Sequence, residues 1–367
     1  MKFSIEKFKI AELLSQADSV IEQKTFSLVF SNLLLEAEND KIIISATDSV
    51  TFFKAYDNAN VMEIGKTLVN AKKLFDIVRS VPDTLLYFET NENNELLIFS
   101  ENHSFEFELK TMDYTEYNIS FDISFENSFE IDAHYFKEMI HKTIFSASDE
   151  IDKQFSTAGI MIEKKDQNIN IVATDKKRLA VCRKFEELPD LISIIPKKMM
   201  NIILKVRSSD EKFKISLTEK KFSIEIGSIQ YMSHLLEPKF PNYRTLIQDT
   251  FEYSSIIEKD LFNQNLKMIS SMFSTEDTIL IKMEKNLMTI SNLETDIGRG
   301  KVHFDIDYDK EPVEFAVSYK NIADFTRVID CSSFKLCFNN PQKAIFFMPF
   351  EEKKDYNYIF ITVPVKI

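Results

Sequence analysis

The stretch Ala173-Thr174-Asp175-Lys176-Lys177-Arg178-Leu179-Ala180 opens with a tripeptide already met at Ala46-Thr47-Asp48, at an offset of 127 residues. A fixed offset of this size is a sign of internal repetition, which is sought before any other feature. Apolar stripes at helical spacing recur at similar offsets. The first holds Phe8, Ile10, Ala11, Leu14 and Ala17. The second follows Asp132, a residue suited to an N-cap, and holds Phe136, Met139, Ile140 and Ile144. The third opens at Lys259 or Asp260 and holds Leu261, Phe262, Leu266, Ile269 and Phe273.

A second helix is expected in each third. Its apolar residues are Ala71, Leu74, Phe75 and Val78 in the first third. In the second they are Met199, Met200, Ile203 and Val206, with Pro196 near the first turn. In the third they are Tyr319, Ile322, Phe325 and Val328. Each is followed by a hairpin of alternating apolar residues. The hairpin turns fall at Asn91–Asn94, near Glu219-Lys220, and at Asn339-Asn340-Pro341. The fold class is therefore α+β: three structurally equivalent domains, each with two helices and antiparallel sheets. Their expected extents are 1–125, 126–252 and 253–367, with short polar junctions at Asn127-Ser128 and Asp249-Thr250.

Composition narrows the function. The chain has 367 residues, is 44% hydrophobic and carries a net charge of −13. Phosphate neutralisation dominates nucleic-acid affinity, so an acidic chain is a poor general binder. Segregation of the charge onto different faces would still permit contact with DNA. Only five glycines are present, which argues against phosphate-cradling loops. Gly65-Lys66-Thr67 resembles the end of such a loop, but Asn60 stands where the motif needs its first glycine. Cys182, Cys331 and Cys337 have neither disulfide nor zinc spacing. The five histidines are scattered, and no metal or cofactor is expected. A metal-dependent nuclease would need clustered carboxylates, and the sequence shows none. Nothing suggests acid–base catalysis, so the chain is not expected to be an enzyme. The first residues, Met1-Lys2-Phe3-Ser4-Ile5-Glu6, lack the apolar run of a signal peptide, and no membrane span is present. The cytoplasm is the expected location.

Several blocks resemble one known family. They are Met1-Lys2-Phe3-Ser4-Ile5, Ser31-Asn32-Leu33-Leu34-Leu35-Glu36, the two Ala-Thr-Asp tripeptides, Phe240-Pro241-Asn242-Tyr243-Arg244, and the terminal Val363-Pro364-Val365-Lys366-Ile367. Taken in order, they resemble the beta subunit of bacterial DNA polymerase III, the DNA sliding clamp family. That resemblance implies the DNA clamp fold and a head-to-tail homodimer closing into a six-domain ring around double-stranded DNA. It implies no catalysis. The implied partners are the DNA polymerase III alpha subunit, the clamp loader and other proteins bearing a clamp-binding motif.

The resemblance also distributes roles. Thr157, Thr174, Asp175, Arg178, Leu179, Pro241, Leu246, Ile361, Val363, Pro364, Val365 and Lys366 match the partner-peptide pocket. Lys24, Lys72, Lys73, Arg79, Lys137, Lys142, Lys197, Lys198, Lys205, Arg207 and Lys267, with Lys320 and Arg327, are expected to face DNA. Phosphate contacts position a protein without reading sequence, which suits sliding. The dimer interface is expected to pair Met272 and Phe273 with a strand bearing Phe107 and Leu109. Departures from the family pattern lie at Lys176-Lys177, at Thr245, and at Val363 and Val365, where stiff β-branched side chains replace flexible methionines.

Overall fold

The computed structural model describes residues 1–21, 28–117, 123–150, 152, 154–165, 167–237, 239–273, 277–294, 298–351 and 356–366. One order of elements occurs three times: a strand, a helix, a block of strands, a helix, and three further strands.

The first run is β1 (Lys2–Glu6), α1 (Lys7–Asp18), β2 (Asn32–Glu38), β3 (Lys41–Thr47), β4 (Thr51–Asn58), β5 (Asn60–Glu63), β6 (Gly65–Asn70), α2 (Ala71–Ser80), β7 (Leu85–Thr90), β8 (Glu95–Ser100) and β9 (Glu106–Met112). The second is β10 (Phe129–Asp132), α3 (Ala133–Thr143), β11 (Gly159–Lys165), β12 (Asn168–Thr174), β13 (Arg178–Phe185), β14 (Leu191–Pro196), α4 (Lys197–Lys205), β15 (Lys212–Leu217), β16 (Lys221–Ile226) and β17 (Ile229–His234). The third is β18 (Tyr253–Glu258), α5 (Lys259–Ser270), β19 (Thr278–Glu284), β20 (Leu287–Asn292), β21 (Lys301–Asp305), β22 (Val313–Ser318), α6 (Tyr319–Val328), β23 (Ser333–Phe338), β24 (Ile345–Pro349) and β25 (Tyr356–Thr362).

The described residues form two compact units, 1–134 with 201–235, and 135–200 with 236–367. In the first unit, thirteen strands make one hydrogen-bonded sheet, ordered β10, β15, β16, β17, β4, β3, β2, β6, β9, β8, β7, β1, β5. Its β17–β4 ladder pairs Ile229 with Ala55 and Ser233 with Thr51, joining segments on either side of residue 125. In the second unit, an eight-stranded sheet runs β14, β11, β12, β13, β25, β24, β23, β18, beside a four-stranded sheet. Its β13–β25 ladder pairs Arg178 with Thr362 and Lys184 with Tyr356, joining segments on either side of residue 252. The pairings are antiparallel, as the alternating pattern predicts.

Helix starts have local causes. The Asn70 side chain accepts the Lys73 backbone N–H at 3.0 Å and caps α2. Ser318 caps α6 by accepting the Asn321 N–H. Pro196 is not inside a first turn: it ends β14, opposite Gly159, and α4 starts one residue later. The face of α1 also differs from the expected stripe. Ile10, Leu13, Leu14 and Ala17 are buried, whereas Phe8 is 60% exposed. Spacing explains this, since Ile10, Leu13, Leu14 and Ala17 fall at i, i+3, i+4 and i+7, while Phe8 lies two residues before the stripe and points away. With no tryptophan in the chain, phenylalanine fills the large core positions. Phe325 stacks on Tyr358 and Phe360, and meets Phe334 edge-on at 5.6 Å.

Candidate functional site

The turn between β12 and β13 is built by its own side chains. Asp175 Oδ1 accepts the backbone N–H of Lys177 and of Arg178, each at 2.9 Å. Thr174 Oγ1 accepts the Lys176 N–H at 3.0 Å and donates to the Arg178 carbonyl at 2.6 Å. These bonds hold Lys176 in the left-handed region, at φ 74°, where a non-glycine residue is uncommon. The Lys176 ammonium pairs with Asp152 and lies 4.9 Å from the ring centre of Phe155. Asp152 also accepts the N–H groups of Gln154 and Phe155. The Lys176 bond, followed by these two amides, holds the Asp152 carboxyl down at about 2. The segment before β11 is thereby clipped onto the β12–β13 turn. Thr157 sits in it, buried, with its carbonyl accepting the Ser148 N–H.

The C-terminal tail lies across the same turn. Val363 N–H donates to the Lys177 carbonyl at 2.9 Å, and Val365 N–H donates to Ala316 of β22 at 2.8 Å. The two valines are 48% and 39% exposed, and Leu246 is 50% exposed. Leu179, Ile361 and Tyr243 are buried in one cluster with Met161, Val172, Val181, Cys337 and Phe346. Tyr243 donates its hydroxyl to Glu163 at 2.7 Å, and Arg244 donates to the same oxygen. Burial pushes the Tyr243 phenol well above its ordinary value, so it remains a donor. Pro241 is half-buried just before this turn. Exposed apolar side chains on the tail and on the turn after Tyr243 thus belong to segments whose neighbouring residues, Ile361 and Tyr243, enter one buried apolar cluster, an arrangement that suits an apolar ligand group.

Arg178 serves a different purpose from its neighbours. Its guanidinium donates to Asp175 and to Asp324 of α6, each at 3.0 Å, and stands over the Phe145 ring. The side chain is largely covered and braces the floor of the site. Thr174 is likewise spent on the turn. Sequence reasoning missed Asp324 and the clustered Tyr243, Val181 and Phe346.

The expected DNA-facing cations divide by burial. Lys72, Lys73, Arg79, Lys205, Arg207, Lys267, Lys320 and Arg327 are exposed. Lys137 and Lys198 are half-buried, and Lys197 is held by the Ala147 carbonyl and Asp149. Lys142 is a correction. It is 5% exposed, donates to Glu138 at 2.6 Å and also meets Asp330. Burial alone would lower its pKa, but the bond and charge of Glu138, with Asp330, outweigh that and raise it. An enclosed, doubly paired ammonium does not face DNA. Lys24 lies outside the described residues.

Charge is partitioned by secondary structure. Among the described residues the six α-helices carry fourteen Lys and Arg against six Asp and Glu. The whole chain carries 45 against 58, so the remainder is strongly acidic. Among the described residues no group of three His, Cys, Asp or Glu is placed to hold a metal ion. No helix of the described chain is long and apolar enough to cross a membrane.

Phe107 and Leu109 lie on β9 opposite Ile98 and Leu96 of β8, on the half-buried face. Met272 and Phe273 lie beyond the end of α5, not within it, because the helix stops at Ser270. The Phe273 ring packs edge-on against Tyr319, 5.1 Å away.

The model of the DNA polymerase III beta subunit N-terminal domain matches residues 1–121, and that of its central domain matches residues 130–242. The chain belongs to the DNA polymerase III beta subunit family, the beta sliding clamps. A beta sliding clamp of Treponema pallidum is 27% identical over 353 residues, covering 94% of this chain and 95% of the relative. The fold matches the DNA polymerase sliding clamp of Bacillus subtilis at a TM-score of 0.92 and 18% identity, over 100% of this chain and 99% of that one. It also matches the Caulobacter crescentus pol III beta structure at 0.92 and 20% identity, over 100% of both chains. Beta sliding clamps are non-catalytic processivity factors, which accords with the chemistry of this site: an apolar floor, a bracing ion pair and a surface for adhesion.

Proposed function

We propose that this beta sliding clamp works as a head-to-tail homodimer. Two copies, each contributing three domains (1–125, 126–252 and 253–367), would close a six-domain ring around duplex DNA. The partition of charge is the observation that carries this reading. Basic helices within an acidic chain suit a ring whose helices face the phosphates and whose sheets face outward. Screening over about 8 Å at physiological salt leaves the inner cations to act at short range. Contacts of this kind read no bases, so they hold the ring without pinning it.

In this reading the exposed Leu246, Val363 and Val365, over Leu179 and Ile361, receive a short peptide from a partner. Burying one large apolar side chain contributes about 1.5–3 kcal/mol. Two anchors with backbone bonds reach roughly micromolar affinity, weak enough for partners to exchange. The DNA polymerase III alpha subunit, the clamp loader and other motif-bearing proteins would compete for this site, all in the cytoplasm.

The deciding experiment loads the protein onto nicked circular DNA and then linearises it. Retention on the circle with release from the linear form is expected. Equal retention on both would mean that the protein adheres to DNA without encircling it.

A further inference from the structure

We propose that Lys177 and Lys366 make this site selective for peptides that carry carboxylates beside their apolar anchors. This inference rests on the reading of the site as peptide-binding.

Most ionic groups around the site are already matched. Asp152 is paired with Lys176, Asp175 and Asp324 with Arg178, Asp149 with Lys197, and Glu163 with Arg244. Lys177 and Lys366 are both exposed, and among the described residues neither ammonium has a carboxylate partner. The two lysines bracket Val363. The Lys177 carbonyl accepts the Val363 N–H, and Lys366 follows three residues along the same tail. In a chain of net charge −13, two unmatched cations beside exposed apolar side chains are a local reversal of sign.

That reversal has a physical consequence for choice of ligand. Specificity is a difference between affinities. Apolar anchors alone discriminate weakly between peptides of similar size, and Val363 and Val365 have little rotamer freedom with which to adapt. A carboxylate beside the anchor gains an opposite charge that, among the described residues, no acid is paired with. Across a partly exposed interface such a pair adds modest affinity and faster association, both sensitive to salt.

The test uses the full-length protein and two labelled peptides with identical apolar anchors. One has aspartate at both flanking positions, the other asparagine. Fluorescence anisotropy on the native protein at low salt should show the aspartate peptide binding about fivefold more tightly. The preference should fade at high salt, vanish in K177A/K366A and reverse in K177E/K366E. K177A alone, which lies outside the matched pocket residues, should bind the asparagine peptide as the native protein does, and circular dichroism should show both K177A and K177A/K366A folded. Equal affinities for the two peptides on the native protein at low salt overturn the inference. If the asparagine peptide binds and loses its affinity on deletion of residues 363–367, the peptide site stands and only the charge selection falls. If neither peptide binds, both readings fall.

Discussion

Arg178 of β13 donates to Asp324 of α6 at 3.0 Å, and the two side chains are 11% and 10% exposed. Residues 146 positions apart are thereby locked together beside the β12–β13 turn of the proposed peptide site. Removing the arginine takes a cation from two carboxylates, Asp175 and Asp324. Asp324 keeps a second partner in Arg327, which limits the loss. Arg178→Ala should therefore cost about 2–3 kcal/mol, near the lower end for a broken buried pair. Urea unfolding of the second unit measures it. Arg178→Met with Asp324→Leu should recover most of the loss, because the only carboxylate then lacking its cation is Asp175, which is partly exposed and keeps two backbone N–H bonds. A single-variant loss below about 0.5 kcal/mol would place the pair with surface ion pairs.

Lys142 and Lys73 test the division between structural cations and those proposed to face DNA. Lys142→Ala leaves Glu138 without the ammonium that it binds at 2.6 Å, so it should lower stability and leave the salt dependence of DNA binding unchanged. Lys73→Ala should leave stability unchanged and reduce the slope of log affinity against log salt by about one. A reduced slope in the Lys142 variant would return that residue to the DNA-facing set.

How much of this was legible in the sequence depends on the range of the interaction. Helix and hairpin positions rest on local periodicity. The threefold element order could be read from Phe136, Met139 and Ile140, or from the alternation around Asn91–Asn94. Which strands would join across residues 125 and 252 was not legible. The β17–β4 and β13–β25 ladders pair segments more than a hundred residues apart, and alternation specifies a face, not a neighbour. Lys142 misled for the same reason. Its place on a helix is local information, but the Tyr356 ring that its ammonium lies against, 4.6 Å away, comes from a strand more than two hundred residues later, which no spacing rule connects to it. Phe8 misled because one bulky apolar residue near a helix start outweighed the phase of the stripe.

The tail separates partner binding from assembly. Residues 363–367 supply Val363 and Val365 to the site and pair through the backbone with Lys177 and Ala316. Deleting them should weaken peptide binding at least tenfold and leave the dimer intact by sedimentation. Unchanged affinity in a fluorescence titration would move the site elsewhere.

The clip between Lys176 and Asp152 gives a prediction in pH. The Asp152 carboxyl is depressed in the folded chain, first by the Lys176 bond and then by the Gln154 and Phe155 amides, to about 2. Its ordinary value is about 3.9. A depressed carboxyl contributes stability above its unfolded value and loses it as pH falls through the folded value. The clip should therefore hold at pH 4 and open as pH approaches 2. Carboxyl NMR titration of Asp152 should show a midpoint near 2, rising in Lys176→Gly. That variant also frees a φ of 74°, so its backbone should be less strained. A midpoint near 4 in the unaltered protein would mean that no clip forms in solution.

Ring closure is the assembly step on which the proposed encirclement depends, and two surfaces are proposed for it. Strand β9 pairs with β8 from Glu106 to Lys110, and with β6 only at Thr111 and Met112. Among the described residues the outer side of Glu106–Lys110 therefore has no strand beside it. Such an edge is a template for another chain. On the other side of the proposed interface, Met272 packs against Gly300, where an added Cβ would meet Met272 Cγ at 3.0 Å. Met272→Ala with Phe273→Ala removes apolar surface from the contact, and sedimentation at low concentration should then show monomer. Gly300→Ala should weaken the dimer less, about fivefold, by displacing Met272 without deleting it. A graded loss would tie closure to the position of the Met272 side chain itself. If both variants remain dimeric at low concentration, these residues lie outside the interface and the ring must close through another surface.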